Sequence, residues 1–252
     1  MLMQMFSAHE FWVGLLAILW ANLILSGDNA VVIALASRSL EPRQQKQAIF
    51  WGSGAAIVLR VILTIFAVAL LQLPWLKIVG GLALLWVGVQ LLAGDDDDGD
   101  GIQGHSHLMH AIRTILIADL VMSLDNVIAV AGVAEAAAST IAEPIREVSK
   151  YVLLVLGLGV SIPIVIFGST LVMKAMERFP IIVTLGAALL GLIAGEMAVT
   201  DPAIRDWVDA TVPWLASLHV AGAVGAAFVV IVGGQLAARA AASQAGDNGA
   251  QS

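Results

Sequence analysis

Two aspartate–asparagine pairs, Asp28-Asn29 and Asp125-Asn126, lie in segments of the chain that are otherwise apolar and long enough to cross a membrane. An ionised side chain at the centre of a bilayer costs ~2.5–3.5 kcal/mol, so such residues are functional-site candidates. Carboxylate and amide oxygens, in a chain without cysteine, suit hard cations such as Mg²⁺, Ca²⁺ and Mn²⁺. The pairs therefore predict a site for a divalent cation. The alternative is a set of polar contacts that only hold helices together.

The two pairs belong to a repeated element. Each polar residue of the first copy is followed, 97 positions later, by a polar residue of the second copy. The matched residues are Asn22 and Asp119, Ser26 and Ser123, Asp28 and Asp125, and Asn29 and Asn126. A register that holds over a whole span indicates an internal repeat.

The predicted metal site combines the carboxylates and amides of both copies with one thioether. Its residues are Asn22, Asp28, Asn29, Asp119, Met122, Asp125 and Asn126. If the two spans run antiparallel, we expect two layers ~9 Å apart, since six residues rise about 1.5 Å each. The inner layer is Asp28, Asn29 and Asp119, and the outer layer is Asn22, Asp125 and Asn126. A thioether at Met122 would favour a softer ion such as Mn²⁺, although a methionine that faces lipid or the core is the simpler interpretation.

Two further charged residues are candidate partners of these carboxylates. Arg60 lies inside the second span, where it either neutralises a carboxylate of the site or forms a structural salt bridge. Glu196 lies near the outer end of the sixth span and is either a charge partner or an interfacial residue. If Glu196, Asp28, Asp119 and Asp125 are all ionised, Arg60 leaves three negative charges in surplus. A divalent cation would offset that surplus.

The segment 95–110 is polar, with five aspartates followed by His105, His107 and His110. Carboxylates and imidazoles close together suit metal binding, so this loop is a candidate metal-collecting tract on the cytoplasmic side. A solvated linker explains the same composition.

Composition identifies the class of protein. The chain is 60% hydrophobic and 12% charged, with a mean hydropathy of +0.93, whereas soluble domains average about 45–50% apolar and about 25% charged. The sequence therefore predicts an integral membrane protein. A basic patch with interleaved aromatic residues is missing, which argues against nucleic-acid binding, and the first ten residues lack the basic start of a signal peptide.

Seven apolar windows predict an all-α polytopic protein. They lie near 10–36, 47–72, 75–94, 111–134, 151–172, 180–199 and 217–237. Because the second copy lies three spans after the first, its span crosses the membrane in the opposite direction. Spans 1–3 and 4–6 therefore form an inverted 3+3 repeat with a seventh helix appended. The predicted divisions are a first repeat (1–94), the acidic and histidine-containing loop (95–110), a second repeat (111–199), an outer loop with the seventh helix (200–237) and a disordered tail (238–252).

Orientation follows from the basic residues. Seven of the twelve lysines and arginines fall on one side of the predicted spans and four on the other. Positive residues concentrate on the cytoplasmic side. We therefore expect the N-terminus outside and the C-terminus inside, in a bacterial-type cytoplasmic membrane.

Several motifs resemble those of the TerC family of membrane proteins. The resemblance covers roughly residues 10–237, and it rests on Gly27-Asp28-Asn29-Ala30, on 48–52 with Arg60, and on 118–120 with 123–127. Other members usually have Ser-Ile-Pro where this chain has Asn126-Val127-Ile128, a departure that favours the YjbE branch and puts tellurite-linked roles in doubt. The resemblance implies Mn²⁺ efflux from the cytoplasm, with Asp28, Asn29, Asp119, Asp125 and Asn126 as the positions to test.

The leading functional hypothesis is a secondary exporter of divalent cations, Mn²⁺ first among them, that works by alternating access. Desolvated aspartates favour exchange of the metal against protons. A passive channel with acidic rings, or a membrane partner that helps metal reach secreted enzymes, remains as an alternative. An enzyme or photoreceptor is disfavoured, because the seventh span has no lysine for a Schiff base and Gly27-Asp28 lacks the Gly-x-Gly-Asp context of an intramembrane aspartyl protease. Pumping driven by ATP is disfavoured because the chain has no nucleotide-binding loop. We expect no cofactor other than the transported cation, and a homo-oligomer stays open.

Overall fold

Long apolar segments form helices in a bilayer because every backbone N–H and C=O must find its partner within the segment. The computed structural model describes residues 2–25, 27–70, 73–94, 103–141, 145–217 and 219–250. In chain order the helices are α1 (Leu2–Ser7), α2 (His9–Leu25), α3 (Gly27–Ser37), α4 (Pro42–Leu70), α5 (Leu76–Ala93), α6 (Gln103–Ser139), α7 (Arg146–Arg178), α8 (Ile181–Val199), α9 (Arg205–Thr211), α10 (Pro213–Ser217) and α11 (Val220–Ala250).

The prediction of an all-α, multi-span membrane protein is confirmed. Six of the described helices, α4 to α8 and α11, are long and apolar enough to cross a membrane. The pair α2 and α3 passes the same test jointly but is bent by 48° at the break between them. Counting this pair as one broken span gives the seven predicted spans.

Two predicted boundaries differ from the structure. Helix α6 already begins at Gln103, so the histidine-containing half of the predicted loop is helical, while 95–102 lie outside the described residues. Helix α11 continues to Ala250, through most of the tail that composition predicted to be disordered. The reason is local, since the alanine-rich stretch 237–242 has a high intrinsic helix propensity and extends the seventh span.

The spans form two packed groups. Helix α4 packs against α6, and α7 packs against both α2 and α3. Phe11 and Ile18 of α2 and Leu153 of α7 belong to one apolar core. Helices α5, α8 and α11 pack against one another. A core of apolar residues that includes Leu84, Val121 and Leu190 joins α5 and α8 to α6.

Small residues bring α8 and α11 into backbone contact. Glycines and alanines at every fourth position of the two spans predict close packing, and in the structure they face each other. A Cβ atom on Gly191 would overlap the carbonyl oxygen of Gly225, and one on Gly195 would overlap that of Ala221. Side chains would therefore force the two helices apart.

A buried aspartate ties the segment that follows α8 to the start of α5. The Asp201 carboxylate is inaccessible to solvent and accepts hydrogen bonds from the backbone N–H groups of Trp75, Lys77 and Ile78, at 2.9, 2.9 and 3.2 Å, and from that of Ala203 at 2.7 Å. Burial raises the pKa of Asp201, but the four donors outweigh it and hold that pKa below its ordinary value. The charged form is therefore the one that holds the loop.

Gly225→Ala is expected to destabilise the protein by about 1–3 kcal/mol, because the added methyl group meets the Gly191 backbone. Thermal unfolding of the purified protein in detergent measures the change. Gly234→Ala on the same helix is the matched control, since a Cβ atom there meets nothing within 4 Å. We expect the control to be neutral or more stable by about 0.5–1 kcal/mol. Equal effects of the two substitutions would contradict the close packing of α8 and α11.

Asp201→Asn is expected to lower stability at neutral pH by about 1.5–3 kcal/mol, the range for hydrogen bonds to a charged group. Because the folded-state pKa is lowered, this stabilisation is complete above the ordinary aspartate value of about 3.9 and disappears as the pH falls through the folded-state value. Melting temperatures of wild type and variant should converge as the pH decreases below about 4. Asp209→Asn is the control, because Asp209 is exposed and lies 3.7 Å from Arg205, and its curve should stay parallel to that of the wild type.

Candidate cation site

The centre of the polar site is Arg60 on α4, whose side chain is 3% exposed. Among the described side chains, its guanidinium donates to three polar groups on two other spans. Nε donates to Ser123 Oγ at 2.9 Å, Nη1 to Asn22 Oδ1 at 3.4 Å, and Nη2 to Asp119 Oδ1. One side chain therefore connects the first, second and fourth spans inside the membrane.

Both oxygens of the Asp119 carboxylate have partners. Oδ1 accepts from Arg60, and Oδ2 accepts from the Ser123 hydroxyl at 3.2 Å. Asp119 and Ser123 lie one helical turn apart on α6, so their side chains share a face. The Thr64 hydroxyl donates to the Arg60 carbonyl at 2.7 Å within α4. The ion pair of Arg60 and Asp119 is thus buried and surrounded by hydrogen bonds, which a buried pair requires to offset its desolvation.

The break between α2 and α3 supplies backbone groups to the same region. The Leu25 carbonyl at the end of α2 accepts a hydrogen bond from Asn126 Nδ2 at 2.9 Å. Asp28, half-buried in the first turn of α3, accepts the Asn29 backbone N–H at 2.8 Å. Helix ends leave backbone groups without partners, and a carboxylate at a helix N-terminus is favoured by the helix dipole. Polar side chains of both copies of the repeat therefore stabilise the break.

Asn29 has buried hydrogen-bonding capacity that the described protein does not use. Its side chain is 2% exposed, yet neither Nδ2 nor Oδ1 has a hydrogen-bond partner among the described residues. Buried polar groups without partners are rare and call for an explanation such as an ion or a ligand. The Asn29 amide is therefore a candidate ligand next to Asp28.

The predicted arrangement of two layers does not hold for Asn22 and Asp119. These residues were expected in opposite layers ~9 Å apart, but both contact the same guanidinium of Arg60. The reason is the long side chain of Arg60, which reaches between the first and fourth spans where they cross. The two-layer prediction did not include Arg60 as a partner that both copies share.

Met122 and Glu196 lie apart from the polar cluster. Met122 is buried among apolar residues of α5, α6 and α8, which agrees with the simpler interpretation of its thioether. The Glu196 carboxylate lies 2.6 Å from His219 Nδ1, near the end of α8 and the start of α11, so it is not a partner of Arg60. Removing Glu196 from the earlier charge count changes the expected surplus from three negative charges to two.

The remaining predicted residues are only partly described. His107 is half-buried and His110 exposed near the start of α6, while the side chains of His105 and Asp125 lie outside the described residues. Among the side chains that are described, no three histidines, aspartates or glutamates come close enough together to hold a metal ion. In this conformation the two carboxylate oxygens of Asp119 instead accept hydrogen bonds from Arg60 and Ser123.

The family model for TerC integral membrane proteins matches residues 7–242 of this chain, nearly its whole length. The chain belongs to the TerC family. Its relatives include the uncharacterized membrane protein YjbE of Bacillus subtilis, which is 45% identical over 77% of this chain and 82% of YjbE. YceF of the same organism is 26% identical over 69% of this chain and 66% of YceF. The inner membrane protein YoaE of Escherichia coli K12 is 26% identical over 52% of this chain and 29% of its own length. No solved structure matches.

Two functional groups of this TerC-family protein were missed by sequence reasoning. The Leu25 carbonyl has no side-chain signal, although Gly27 just after it suggested a local irregularity of the helix. Thr64 lies one turn after Arg60 in the sequence, and this spacing is the signal that could have found it. Ser123 was visible only as a polar neighbour, and its double role between Arg60 and Asp119 needed the structure.

Arg60→Gln or Asp119→Asn in this TerC-family protein is expected to cost about 3–5 kcal/mol, because each leaves one buried charge without its partner. The double variant removes both charges, so its loss should be well below the sum of the two single losses. Thermal unfolding of the four proteins in detergent gives the interaction energy. Additive losses would show that the two charges do not interact. Arg113→Gln on the exposed face of α6 is the control and should be within about 0.5 kcal/mol of wild type.

Proposed function

We propose that this TerC-family membrane protein is a secondary transporter that exports divalent metal cations, with Mn²⁺ as the preferred cargo. The observation that carries the proposal is the buried cluster of carboxylates and amides at a broken span. Asn22 and Asp119 contact Arg60 there, and Asp28 and Asn29 lie in the first turn of α3, which begins at the break.

The charge of this cluster favours a dication. The charge count sets three intramembrane aspartates, Asp28, Asp119 and Asp125, against Arg60, because Glu196 lies with His219 outside the cluster. If all three are ionised, two negative charges remain in surplus, and one divalent cation neutralises them. A structural network of polar residues would not need that surplus, since each ionised group in the bilayer is costly.

The ligand types fit a hard cation. Carboxylate, amide and backbone carbonyl oxygens are all present at the site, and the chain contains no cysteine. Such oxygens suit Mg²⁺, Ca²⁺ and Mn²⁺. The choice of Mn²⁺ among them rests on the family resemblance of the motifs.

The helix arrangement supports alternating access. Transporters built from inverted repeats place their sites near the bilayer midplane, at discontinuous helices, and the first span of this protein is broken beside Asp28. Helix α4 of the first repeat packs on α6 of the second, while α7 of the second repeat packs on α2 and α3 of the first. These contacts between the two halves support the proposed inverted 3+3 repeat. We propose that its N-terminus lies outside and its C-terminus inside the cytoplasmic membrane.

Protons are the proposed counter-ion. Aspartates that are desolvated in the membrane can carry a proton when the metal has left, which would neutralise the empty site. Metal release would then be coupled to proton uptake, and export could use a proton gradient. A passive channel would need no such exchange.

Mn²⁺ flux in vesicles tests the proposal. Protein reconstituted in vesicles with an internal Mn²⁺-sensitive dye should show saturable transport that responds to an imposed pH gradient. Asp28→Asn, Asp119→Asn and Asp125→Asn should each lower the rate about tenfold or more, since even residues that only support a metal ligand typically cost 10–100-fold. Asp209→Asn, at an exposed position of α9, is the control and should transport like the wild type.

Three results would contradict the proposal. Wild-type rates in the three aspartate variants would remove the site assignment. Flux without saturation or response to pH would indicate a channel. No flux of Mn²⁺, Mg²⁺ or Ca²⁺ at all would indicate a protein that only assists metal delivery.

A further inference from the structure

The guanidinium of Arg60 occupies the atoms that the proposed site would offer to a metal. Its Nη2 and Nη1 atoms contact Asp119 Oδ1 and Asn22 Oδ1, which are the oxygens of those side chains that could bind a cation. The second oxygen of Asp119 accepts from Ser123. A cation that binds Asp119 and Asn22 would therefore compete with Arg60 for the same oxygens.

Asp28 and Asn29 of the proposed site do not contact Arg60 in the described hydrogen bonds. Asp28 accepts one backbone N–H, and the Asn29 amide oxygen is buried without a hydrogen-bond partner among the described residues. These two residues lie on α3, beyond the bend of the first span. The Asn29 amide oxygen on α3 is thus without a described partner, while Asn22 of α2 and Asp119 of α6 are hydrogen-bonded to Arg60.

We propose that Arg60 is a tethered counter-cation, which occupies Asp119 and Asn22 in the metal-free protein and releases them when the divalent cation binds. This inference rests on the proposed transport function and describes how the same site is regulated. A buried carboxylate is strongly disfavoured without a positive partner. Arg60 supplies that partner to Asp119 in the empty protein, and its permanent charge makes this contact independent of pH in the physiological range, so that proton uptake falls to the other aspartates of the proposed site.

The exchange has a consequence for affinity. A metal must compete with an ion pair and two further hydrogen bonds of Arg60, so wild-type affinity is lowered by the cost of breaking them. Removing the guanidinium should therefore tighten metal binding. Removing it should also slow transport, because Asp119 would have no positive partner after release of the metal.

Equilibrium binding separates these two effects. Titration calorimetry with MnCl₂ on purified protein should give a Kd for Arg60→Gln at least about tenfold lower than for wild type, equivalent to about 1.4 kcal/mol. Mn²⁺ flux of the same variant in vesicles should be lower than that of wild type. Arg113→Gln, which changes an exposed arginine of α6, is the matched control and should leave both values unchanged.

Arg60→Lys keeps the test decisive if Arg60→Gln does not fold. An ammonium group keeps the charge but lacks the planar fork that reaches Asn22, Asp119 and Ser123 together. We expect an affinity for Mn²⁺ between those of wild type and Arg60→Gln. A folded variant at Arg60 that binds Mn²⁺ as weakly as wild type, or more weakly, would overturn the inference.

A free cation can show that the arginine acts through its charge and shape. In Arg60→Ala, guanidinium chloride at low-millimolar concentration should weaken Mn²⁺ binding by competing for the vacated space, and sodium chloride at the same concentration should not. Wild-type protein should respond to neither salt. If guanidinium has no more effect than sodium in the variant, Arg60 has only a structural role.

The outcomes distinguish this inference from the proposed function. If wild type binds and transports Mn²⁺ but the variants at Arg60 do not bind it more tightly, the transporter proposal stands and the counter-cation is rejected. If wild type neither binds nor transports a divalent cation, both are rejected.

Discussion

The buried contact between Arg60 and Asp119 determines where three spans must lie. Two charges in a medium of low dielectric constant are stable only when they face each other and their remaining hydrogen-bonding atoms have partners. Ser123 and Asn22 supply those partners from the fourth and first spans. The positions of α2, α4 and α6 relative to one another therefore follow from a requirement of electrostatics rather than from apolar packing, which discriminates poorly among helices surrounded by lipid.

The two copies of the repeated element have the same polar residues but different backbones. The first copy breaks between α2 and α3, whereas α6 continues without a break through the second copy. Gly27 stands at the break, and the residue at the matching position of the second copy is Leu124. Glycine is a poor helix former and leucine a good one, a difference that favours a break in the first copy over the second. The site is consequently asymmetric, with a continuous helix on one side and two helix ends on the other.

The remaining spans have a different kind of contact. Helices α5, α8 and α11 approach through glycine and alanine backbones, and Asp201 fixes the start of α5 to the loop after α8. These helices contribute no described atom to the hydrogen bonds of Arg60. The described polar contacts of the candidate site are thus confined to α2, α3, α4 and α6, beside a group of helices that is held by close backbone contact.

The sequence by itself determined the class of protein, the seven apolar segments, the repeat and nearly all of the polar residues of the candidate site. These features depend on composition and on residue spacing, because the high cost of burying polar groups in a bilayer requires long apolar segments. It also pointed to Arg60 as a partner of a carboxylate, but it could not say which one. It left Glu196 among the charges of the site, and it ended the seventh helix too early.

Only the tertiary structure decided which polar atoms meet. Arg60 is 38 residues from Asn22 and 59 from Asp119 along the chain, and its long side chain could reach several neighbours. The structure separated Glu196, which contacts His219, and it brought the Leu25 carbonyl to Asn126. Contacts of this kind depend on helix crossing and rotation, which no local pattern encodes, because they result from satisfying all buried charges and hydrogen bonds of several spans together.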